Sequence, residues 1–398
     1  MTATDELVAG IRVVDADTHF TEPHDLWTSR APAGWADRVP RVQDVEGMPM
    51  WTVDGVVLGR AGASSVVRRD GSKSRGSEFI QWRFDEAHLG AYEVAARLEV
   101  MDDLGIWAHI VYPNAVGFGG QKFAEVTDPA LRLLCVTLFN DAMAEVQDSS
   151  HGRLFPMGLV PWWDIDAAVA EVERIKALGL HGVNTNADPQ NQGLPDLGER
   201  HWDPFWEVCA DLHLPVNFHI GASQSSMSWF GSTPWPSQGD DQKLAIGSAM
   251  MYLSNAAVLA NLIISGVLER FPTLQVVSVE SGIGWIPFFL QALDHQVRET
   301  VPQAVEYLSM MPSGYFRRQM HGCFWFEQYG LAEAIDALGD EHVMFETDFP
   351  HPTCLYPDSL VEATAALSTL TPTVRAKVLS TNAIGLYGLP IDVPVGAR

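Results

Sequence analysis

Segments with the apolar pattern of buried strands alternate with helix-like segments along the 398 residues of this chain. The strand-like segments are residues 11–19, 108–113, 154–160, 180–185, 214–220, 274–279, 319–326 and 343–347. Between them lie longer segments with apolar residues at helical spacing, such as residues 129–147 and 167–178. Eight strands separated by helices predict the α/β class, and within it a (β/α)8 TIM barrel.

Two segments interrupt the alternation. Residues 31–90 follow the first strand and are rich in Gly, Pro, Trp and charge, and residues 222–247 follow the fifth strand and carry Ser-rich and Trp-Pro stretches. Both begin at the carboxyl end of a strand, which is the end where TIM barrels build their active sites. We therefore predict one domain over residues 1–398, with the insertion 31–90 as a lid and the loop 222–247 as a second lid piece.

Composition restricts the partners. The net charge is −25, from 25 basic and 50 acidic residues, so the protein repels nucleic acid and anionic membranes. The first residues lack a signal-peptide pattern, and we find no apolar run of about 18 residues. The 4 cysteines are scattered, which favours reduced core thiols over disulfides. We expect a cytoplasmic protein that acts on a small molecule.

Residues that bind metals gather at the predicted carboxyl ends of the strands. The first strand ends in Asp17-Thr18-His19, the fifth ends in His219, and the eighth leads into Asp348. Since residues i and i+2 of a strand point to the same side, Asp17 and His19 can both face the barrel axis. Two imidazoles and two carboxylates suit Zn²⁺, Mn²⁺ or Fe²⁺. The sequence therefore predicts a divalent metal site.

The motifs also carry a family resemblance. They are DADTHFTEP (15–23), LPVNFH (214–219), SGVLERFP (265–272), ESGIGWIP (280–287) and TDFPHP (347–352). Together they resemble the amidohydrolase superfamily, in the branch of aminocarboxymuconate-semialdehyde decarboxylase and the aromatic-acid decarboxylases and hydratases called amidohydrolase family 2. The resemblance implies a barrel with a metal held by Asp17, His19, His219 and Asp348. We expect one metal per chain, with zinc favoured over manganese or iron.

Glu280, at the end of the sixth strand, departs from this branch, whose decarboxylases usually have a histidine there. A carboxylate can ligate the metal or act as a base on water, but an ionised carboxylate is a poor proton donor. Glu280 therefore favours addition of water, by a hydrolase or hydratase acting on a small organic acid or cyclic carbonyl compound. Glu280 or Asp348 would be the base.

Three alternatives stay open. The first is a non-oxidative decarboxylase of an aromatic or muconate-type acid. The second is a binuclear iron or manganese oxygenase, in which Glu280 would hold a second metal, although the fourth strand offers Asn184 and Asn186 where binuclear relatives have a bridging carboxylated lysine or glutamate. The third is a non-catalytic metal-binding subunit of a heteromer.

Further residues are candidates for the substrate site. His351, three residues after Asp348, is expected to contact the substrate or to orient a ligand carboxylate, and His24 could approach the same opening. Tryptophans of the interrupting segments could wall an apolar substrate; they are Trp51, Trp82, Trp229 and Trp235. A substrate carboxylate would need a cation, and the candidates are Arg60, Arg68, Arg83 and Arg317. The apolar residues 250–264 predict a homo-oligomer.

Overall fold

The computed structural model describes residues 3–231 and 235–392. Its strands are β1 Val14–His19, β2 Arg41–Val45, β3 Met48–Val53, β4 Val56–Arg60, β5 Ala108–Tyr112, β6 Leu154–Pro156, β7 Gly158–Leu159, β8 Val183–Asn184, β9 Val216–His219, β10 Val276–Val279, β11 Met320–Phe324 and β12 Val343–Phe345. Its helices are α1 Ala3–Leu7, α2 Val94–Leu104, α3 Pro129–Ser149, α4 Ile165–Ala177, α5 Asp203–Asp211, α6 Gln224–Gly231, α7 Asp240–Tyr252, α8 Asn255–Ile264, α9 Val267–Arg270, α10 Ile286–Glu299, α11 Pro312–Gln319, α12 Leu331–Leu338, α13 Ser359–Leu367, α14 Pro372–Ala376 and α15 Asn382–Tyr387.

Two parallel sheets carry the predicted strands. One has the order β1-β5-β6, and the other has the order β12-β11-β10-β9-β8-β7. All residues of β1 and β5 are buried, as expected for parallel strands covered by helices. These sheets confirm the predicted α/β class. Because the strands are parallel, their carboxyl ends lie at the same end of the fold.

The two sheets are joined at both edges, by the chain itself at one edge and by hydrogen bonds at the other. The predicted third strand is divided at Met157, whose N–H donates to the Val111 carbonyl at 2.9 Å, and β7 follows it directly. At the opposite edges, His19 N–H donates to the Phe349 carbonyl at 2.8 Å, and Asp348 N–H donates to the Asp17 carbonyl at 2.9 Å. The ends of β1 and β12 are therefore held side by side.

The segment 31–90 contains an antiparallel sheet with the order β2-β3-β4. Trp51 of β3 is 2% exposed, and its ring centroid lies 5.3 Å from that of Trp27. The Trp27 indole N–H donates to the Cys135 carbonyl in α3 at 2.9 Å. The sheet is thus anchored on the flank of the molecule by an aromatic cluster.

The prediction of a loop over residues 222–247 was wrong for most of the residues that the structure describes there. Residues 224–231 form α6, and residues 240–247 form the first part of α7, which begins with two acidic residues, Asp240 and Asp241, at the end of a helix where negative charge is stabilising. The apolar residues 250–264 are divided between the end of α7 and α8, and Gly266, whose φ of 76° lies outside the helical region, separates α8 from α9.

The expectation that no apolar run reaches about 18 residues was wrong, because the stretch Asp240–Ile264 is long and apolar enough to cross a membrane by length and composition. Of its apolar window, 39% is buried in the fold. Core helices of soluble proteins pass the same test. Val258, Leu259, Leu262 and Ile263 of α8 join the main hydrophobic core. One side of α8 is therefore covered within the chain, and oligomerisation stays a prediction.

Candidate metal centre

The structure brings the six predicted site residues together at the carboxyl ends of the strands. Asp17 and His19 belong to β1, His219 ends β9, Glu280 follows β10, and Asp348 and His351 follow β12. All six are buried. They form two overlapping groups with metal-binding atoms within 4.8 Å of one another: Asp17, His19, His219 and Glu280, and His19, Glu280, Asp348 and His351.

Distances within the cluster match a coordination sphere. The Nε2 atoms of His19 and His219 are 3.1 Å apart, and both lie near Asp17 Oδ1, at 3.6 and 3.5 Å. His19 Nε2 is 3.5 Å from Asp348 Oδ1, and His219 Nε2 is 3.4 Å from Glu280 Oε2. Ligand atoms bound at about 2.1 Å to one ion are roughly 3.0–3.4 Å apart. These side chains therefore surround a point that one ion can occupy.

The two histidines are oriented for ligation. The His19 Nδ1 atom lies 3.1 Å from the Pro113 carbonyl oxygen, and His219 Nδ1 lies 2.6 Å from the Ile220 carbonyl oxygen. Because a carbonyl can only accept, each Nδ1 carries the proton and donates it. The lone pairs of both Nε2 atoms then point into the cluster, which is the arrangement of metal-binding histidines.

Burial and charge also fit a cation. Neither carboxylate oxygen of Asp17 has a hydrogen-bond partner among the described residues, although both are buried. Burial raises the pKa of Asp17, and raises the pKa values of Glu280 and Glu346 well above their usual range. Burial likewise holds the pKa of His19 well below its usual range, so its imidazole is neutral. A neutral imidazole beside buried carboxylates suits a divalent cation.

Two site residues have strained backbones. Glu280 and Asp348 have φ values of 53° and 58°, in the left-handed region that few non-glycine residues adopt. Hydrogen bonds hold both: Glu280 N–H donates to Glu346 Oε2 at 3.1 Å, and Asp348 N–H donates to the Asp17 carbonyl. Such strain is concentrated at functional sites, where the surrounding structure compensates for it.

His351 is held between a carboxylate and an amide. Its Nδ1 lies 2.9 Å from Asp348 Oδ1, and its Nε2 lies 2.9 Å from Asn114 Oδ1. The Asn114 amide donates to Thr21 Oγ1 at 3.0 Å, and Thr21 Oγ1 donates to the Ala63 carbonyl at 2.6 Å. Because a carbonyl only accepts, this chain fixes the Asn114 oxygen toward His351, and Nε2 carries the proton.

Sequence reasoning missed four residues that support the centre. Asp15 accepts from Thr347 N–H at 2.9 Å, and Glu346 accepts from Glu280. Asn114 orients His351, and the Phe118 ring centroid lies 4.3 Å from that of His219. Asn114 could have been found, because it is polar and closely follows the second predicted strand. The role of Phe118 depends on a loop conformation that has no signal in the sequence.

A pocket of about 310 Å³ opens onto the cluster. Glu280 and His351 belong to both the pocket and the cluster. The other lining residues are Ser64, Phe79, Ile80, Asn114, Phe118, Met227, Leu244, Ser248, Met251, Pro352 and Thr353. Most of this lining is apolar, so the pocket suits an apolar molecule with one polar end at the cluster.

Several predicted substrate contacts lie elsewhere. His24 packs on Phe84, with ring centroids 4.3 Å apart, and does not line the pocket described above. Of the four predicted tryptophans, Trp51, Trp82 and Trp235 do not line it either, and the Trp229 side chain is outside the described part of the chain. None of the candidate arginines lines it: Arg60, Arg68, Arg83 and Arg317. They bind main-chain carbonyls or acidic side chains instead.

Two curated relatives align with most of the chain. The 2-amino-3-carboxymuconate-6-semialdehyde decarboxylase of Dictyostelium discoideum is 24% identical over 319 residues, which cover 77% of this chain and 79% of that protein. The gamma-resorcylate decarboxylase of Rhizobium radiobacter is 26% identical over 314 residues, which cover 74% of this chain and 86% of that protein.

Two solved structures share the fold. An amidohydrolase from Mycobacterium avium subsp. paratuberculosis superposes with a TM-score of 0.73 at 22% identity, covering 95% of this chain and 99% of that one. A dihydroxybenzoic acid decarboxylase from Polaromonas sp. JS666, with bound manganese and the inhibitor 2-nitroresorcinol, gives 0.61 at 18% identity and covers 96% and 99%.

A family model also matches this sequence. The family is Amidohydro_2, described as amidohydrolase, and the match spans residues 14–389. That span begins at the first residue of β1 and includes β12 and the loop that follows it, so every predicted metal ligand falls within it. This protein therefore belongs to the amidohydrolase family, as the sequence motifs indicate, and is a metal-dependent enzyme of that superfamily.

Proposed function

We propose that the protein is a non-oxidative, metal-dependent decarboxylase of an aromatic carboxylic acid. The observation that carries this proposal is the apolar pocket of about 310 Å³ that ends on Glu280 and His351. An aromatic ring fits the walls, and its carboxylate then lies against the metal cluster. The relatives that align with most of the chain are decarboxylases. They support the decarboxylase alternative over the hydrolase or hydratase that Glu280 favours in the sequence.

Asp17, His19, His219 and Asp348 would hold one divalent ion, which when bound supplies a Lewis acid for the oxygens of the substrate. The manganese in the Polaromonas structure supports Mn²⁺ as the ion to test beside the Zn²⁺ favoured by the sequence.

Decarboxylation breaks the bond between a ring carbon and the carboxylate. The electron pair stays on the ring carbon, which takes a proton as carbon dioxide leaves. Glu280 in its protonated form is placed to deliver that proton, because it lines the pocket and burial raises the pKa of its carboxyl group well above the usual range. His351 lies on the same wall, with its ring orientation fixed by Asn114. Phe118 packs on His19 and His219, with ring centroids 4.9 and 4.3 Å away, and covers that side of the cluster.

The test is product analysis with manganese-loaded protein and a panel of hydroxybenzoates that includes 2,6-dihydroxybenzoate. We expect equimolar carbon dioxide and phenol from at least one acid, and neither product from His219→Ala. A product heavier by one water and no carbon dioxide would overturn the proposal.

Addition of water is the second candidate, because Glu280 lies where a base could take a proton from a water beside the metal ligands. The same product analysis separates it from decarboxylation, since it adds the mass of water and releases no gas. The binuclear oxygenase would consume dioxygen, and the non-catalytic subunit would yield no product from any acid.

We also propose that the two parallel sheets form one closed barrel and that residues 31–90 cap it. The direct passage of the chain from β6 to β7 and the hydrogen bonds between the ends of β1 and β12 support closure. Ser64, Phe79 and Ile80 of this segment line the pocket, which supports its role as a lid. Helices α6 and α7 contribute Met227 and Leu244 from the other side.

A further inference from the structure

We infer that the substrate has a single carboxylate and carries an apolar substituent on the part of the ring that faces the pocket mouth. This inference rests on the proposed function in one respect: the carboxylate lies at the metal cluster and is the group that leaves as carbon dioxide. The preference for an apolar, singly charged acid rests on the pocket lining alone.

The pocket is polar at its base and apolar at its mouth. At the base, Glu280 and His351 are 5% and 6% exposed. At the mouth, Ile80 and Met227 are 52% and 42% exposed, although they are large and apolar. They come from two separate segments and line the same pocket. Exposed apolar residues that converge on one cleft mark a surface that an apolar ligand covers.

No lysine or arginine is among the residues that line this pocket in the described chain. The nearest candidates in sequence are engaged elsewhere: Arg60 donates to the Gln81 carbonyl at 2.9 Å, and Arg68 lies 3.6 Å from Glu78 and stacks on Trp82. A carboxylate at the metal cluster would have the metal as its partner. A second carboxylate, among Phe79, Leu244 and Met251, would lose water and gain no cation, which is costly.

Charges near the mouth also disfavour a dianion. Asp241 of α7 accepts hydrogen bonds from the N–H and hydroxyl of Ser77, at 2.9 and 2.8 Å. Ser77 begins the turn that carries Phe79 and Ile80. This contact therefore places a carboxylate beside the mouth, and the net charge of −25 adds long-range repulsion.

Calorimetry on the manganese-loaded protein tests the inference with three matched acids: 2,6-dihydroxybenzoate, its 4-propyl derivative and its 4-carboxy derivative. We expect the propyl acid to bind at least about tenfold more tightly than the parent acid, because its alkyl carbons are buried. We expect the dicarboxylate to bind at least about tenfold more weakly. Equal or tighter binding of the dicarboxylate would overturn the inference.

A charge placed at the mouth sharpens the test. In Ile80→Arg, the preference should move toward the dicarboxylate by about tenfold or more, since the guanidinium supplies the missing cation. Val361→Arg is the matched control, because Val361 is 53% exposed on α13 and does not line the pocket. It should keep the wild-type order of affinities. The same change in both variants would contradict a specific role for the mouth.

Measuring both affinity and carbon dioxide release distinguishes a failure of this inference from a failure of the proposed function. If the propyl acid binds most tightly but no acid releases carbon dioxide, the specificity stands and the decarboxylase proposal fails. If the parent acid is decarboxylated but the dicarboxylate binds as well as the propyl acid, the decarboxylase stands and the specificity fails.

Discussion

The base and the mouth of the pocket are built in different ways. The base consists of side chains at the ends of β1, β9, β10 and β12, and all of them are buried. Main-chain carbonyls orient His19 and His219, and backbone hydrogen bonds hold Glu280 and Asp348. The mouth consists of side chains from the segment 31–90 and from α6 and α7, partly exposed and largely apolar. In the proposed function the base provides the chemistry and the mouth provides the choice of substrate, so changes at each should affect different measured quantities.

Glu280→Gln should have the largest effect on turnover. The amide keeps the size of the side chain but cannot exchange a proton, so we expect kcat to fall by about 10²–10⁴-fold. The dissociation constant of the propyl acid should change little, because the mouth is intact. Steady-state kinetics and calorimetry on the same preparation measure both. A kcat within tenfold of wild type would show that another group delivers the proton.

Asp17→Asn should stabilise the metal-free protein at neutral pH. Burial raises the pKa of Asp17 in the folded state, so its contribution to stability is present at low pH and is lost as pH rises through the folded-state pKa. At about pH 8, the free energy of unfolding of Asp17→Asn should exceed that of wild type by about 1–3 kcal/mol.

At about pH 4 this difference should shrink, because Asp17 then holds its proton in wild type. Urea unfolding after chelator treatment measures the difference, and added manganese should reverse the order of the two proteins. If metal-free Asp17→Asn is less stable than metal-free wild type at both pH values, the claim that the buried Asp17 carboxylate needs a cation is wrong.

Asn114→Ala removes the acceptor that orients His351. We expect kcat to fall about tenfold with a change in its pH profile, because the imidazole can then rotate. Asn114→Asp keeps an acceptor oxygen and should recover most of kcat. Thr21→Val removes the next hydrogen bond in the chain and should give an intermediate value. If Asn114→Asp is as impaired as Asn114→Ala, the orienting role is wrong.

Asp241→Ala should have the smallest effect and should act on the mouth alone. It removes the contact with Ser77, so the two sides of the mouth are less firmly joined. We expect KM for the propyl acid to rise a few-fold, on the order of the value of one exposed hydrogen bond, with kcat unchanged. Asp240→Ala removes a neighbouring exposed charge and is the control. Equal rises in KM in the two variants would show that the effect comes from the loss of a negative charge and not from the loss of the contact with Ser77.

The sequence predicted the base well because strand periodicity carries geometric information. Alternation places Asp17 and His19 on one side of β1, and parallel strands bring His219 and Asp348 to the same end. The predicted strands and the α/β class are confirmed by the sheets. The family resemblance is confirmed by the family match over residues 14–389.

The mouth was harder to predict because its geometry depends on contacts distant in sequence. Residues 222–247 have Ser, Gly and Pro that suggest a loop, yet residues 224–231 fold into α6 and residues 240–247 into the start of α7. Trp51 is buried in the 31–90 sheet because its ring packs against that of Trp27. Nothing in the sequence around either tryptophan indicates this contact. The arginines were proposed as partners of a substrate carboxylate only because they carry a positive charge. In the fold, Arg60 and Arg68 bind other groups of the protein instead.

Metal content per chain is the most direct test of a single-metal centre at the base of this pocket. Elemental analysis would compare wild type, His219→Ala, Glu280→Gln and the control His295→Ala, which changes an exposed histidine on α10. We predict one manganese or zinc per chain in all except His219→Ala, which should hold almost none. Two metals per wild-type chain with one lost in Glu280→Gln, or no metal in wild type, would contradict the single-metal centre.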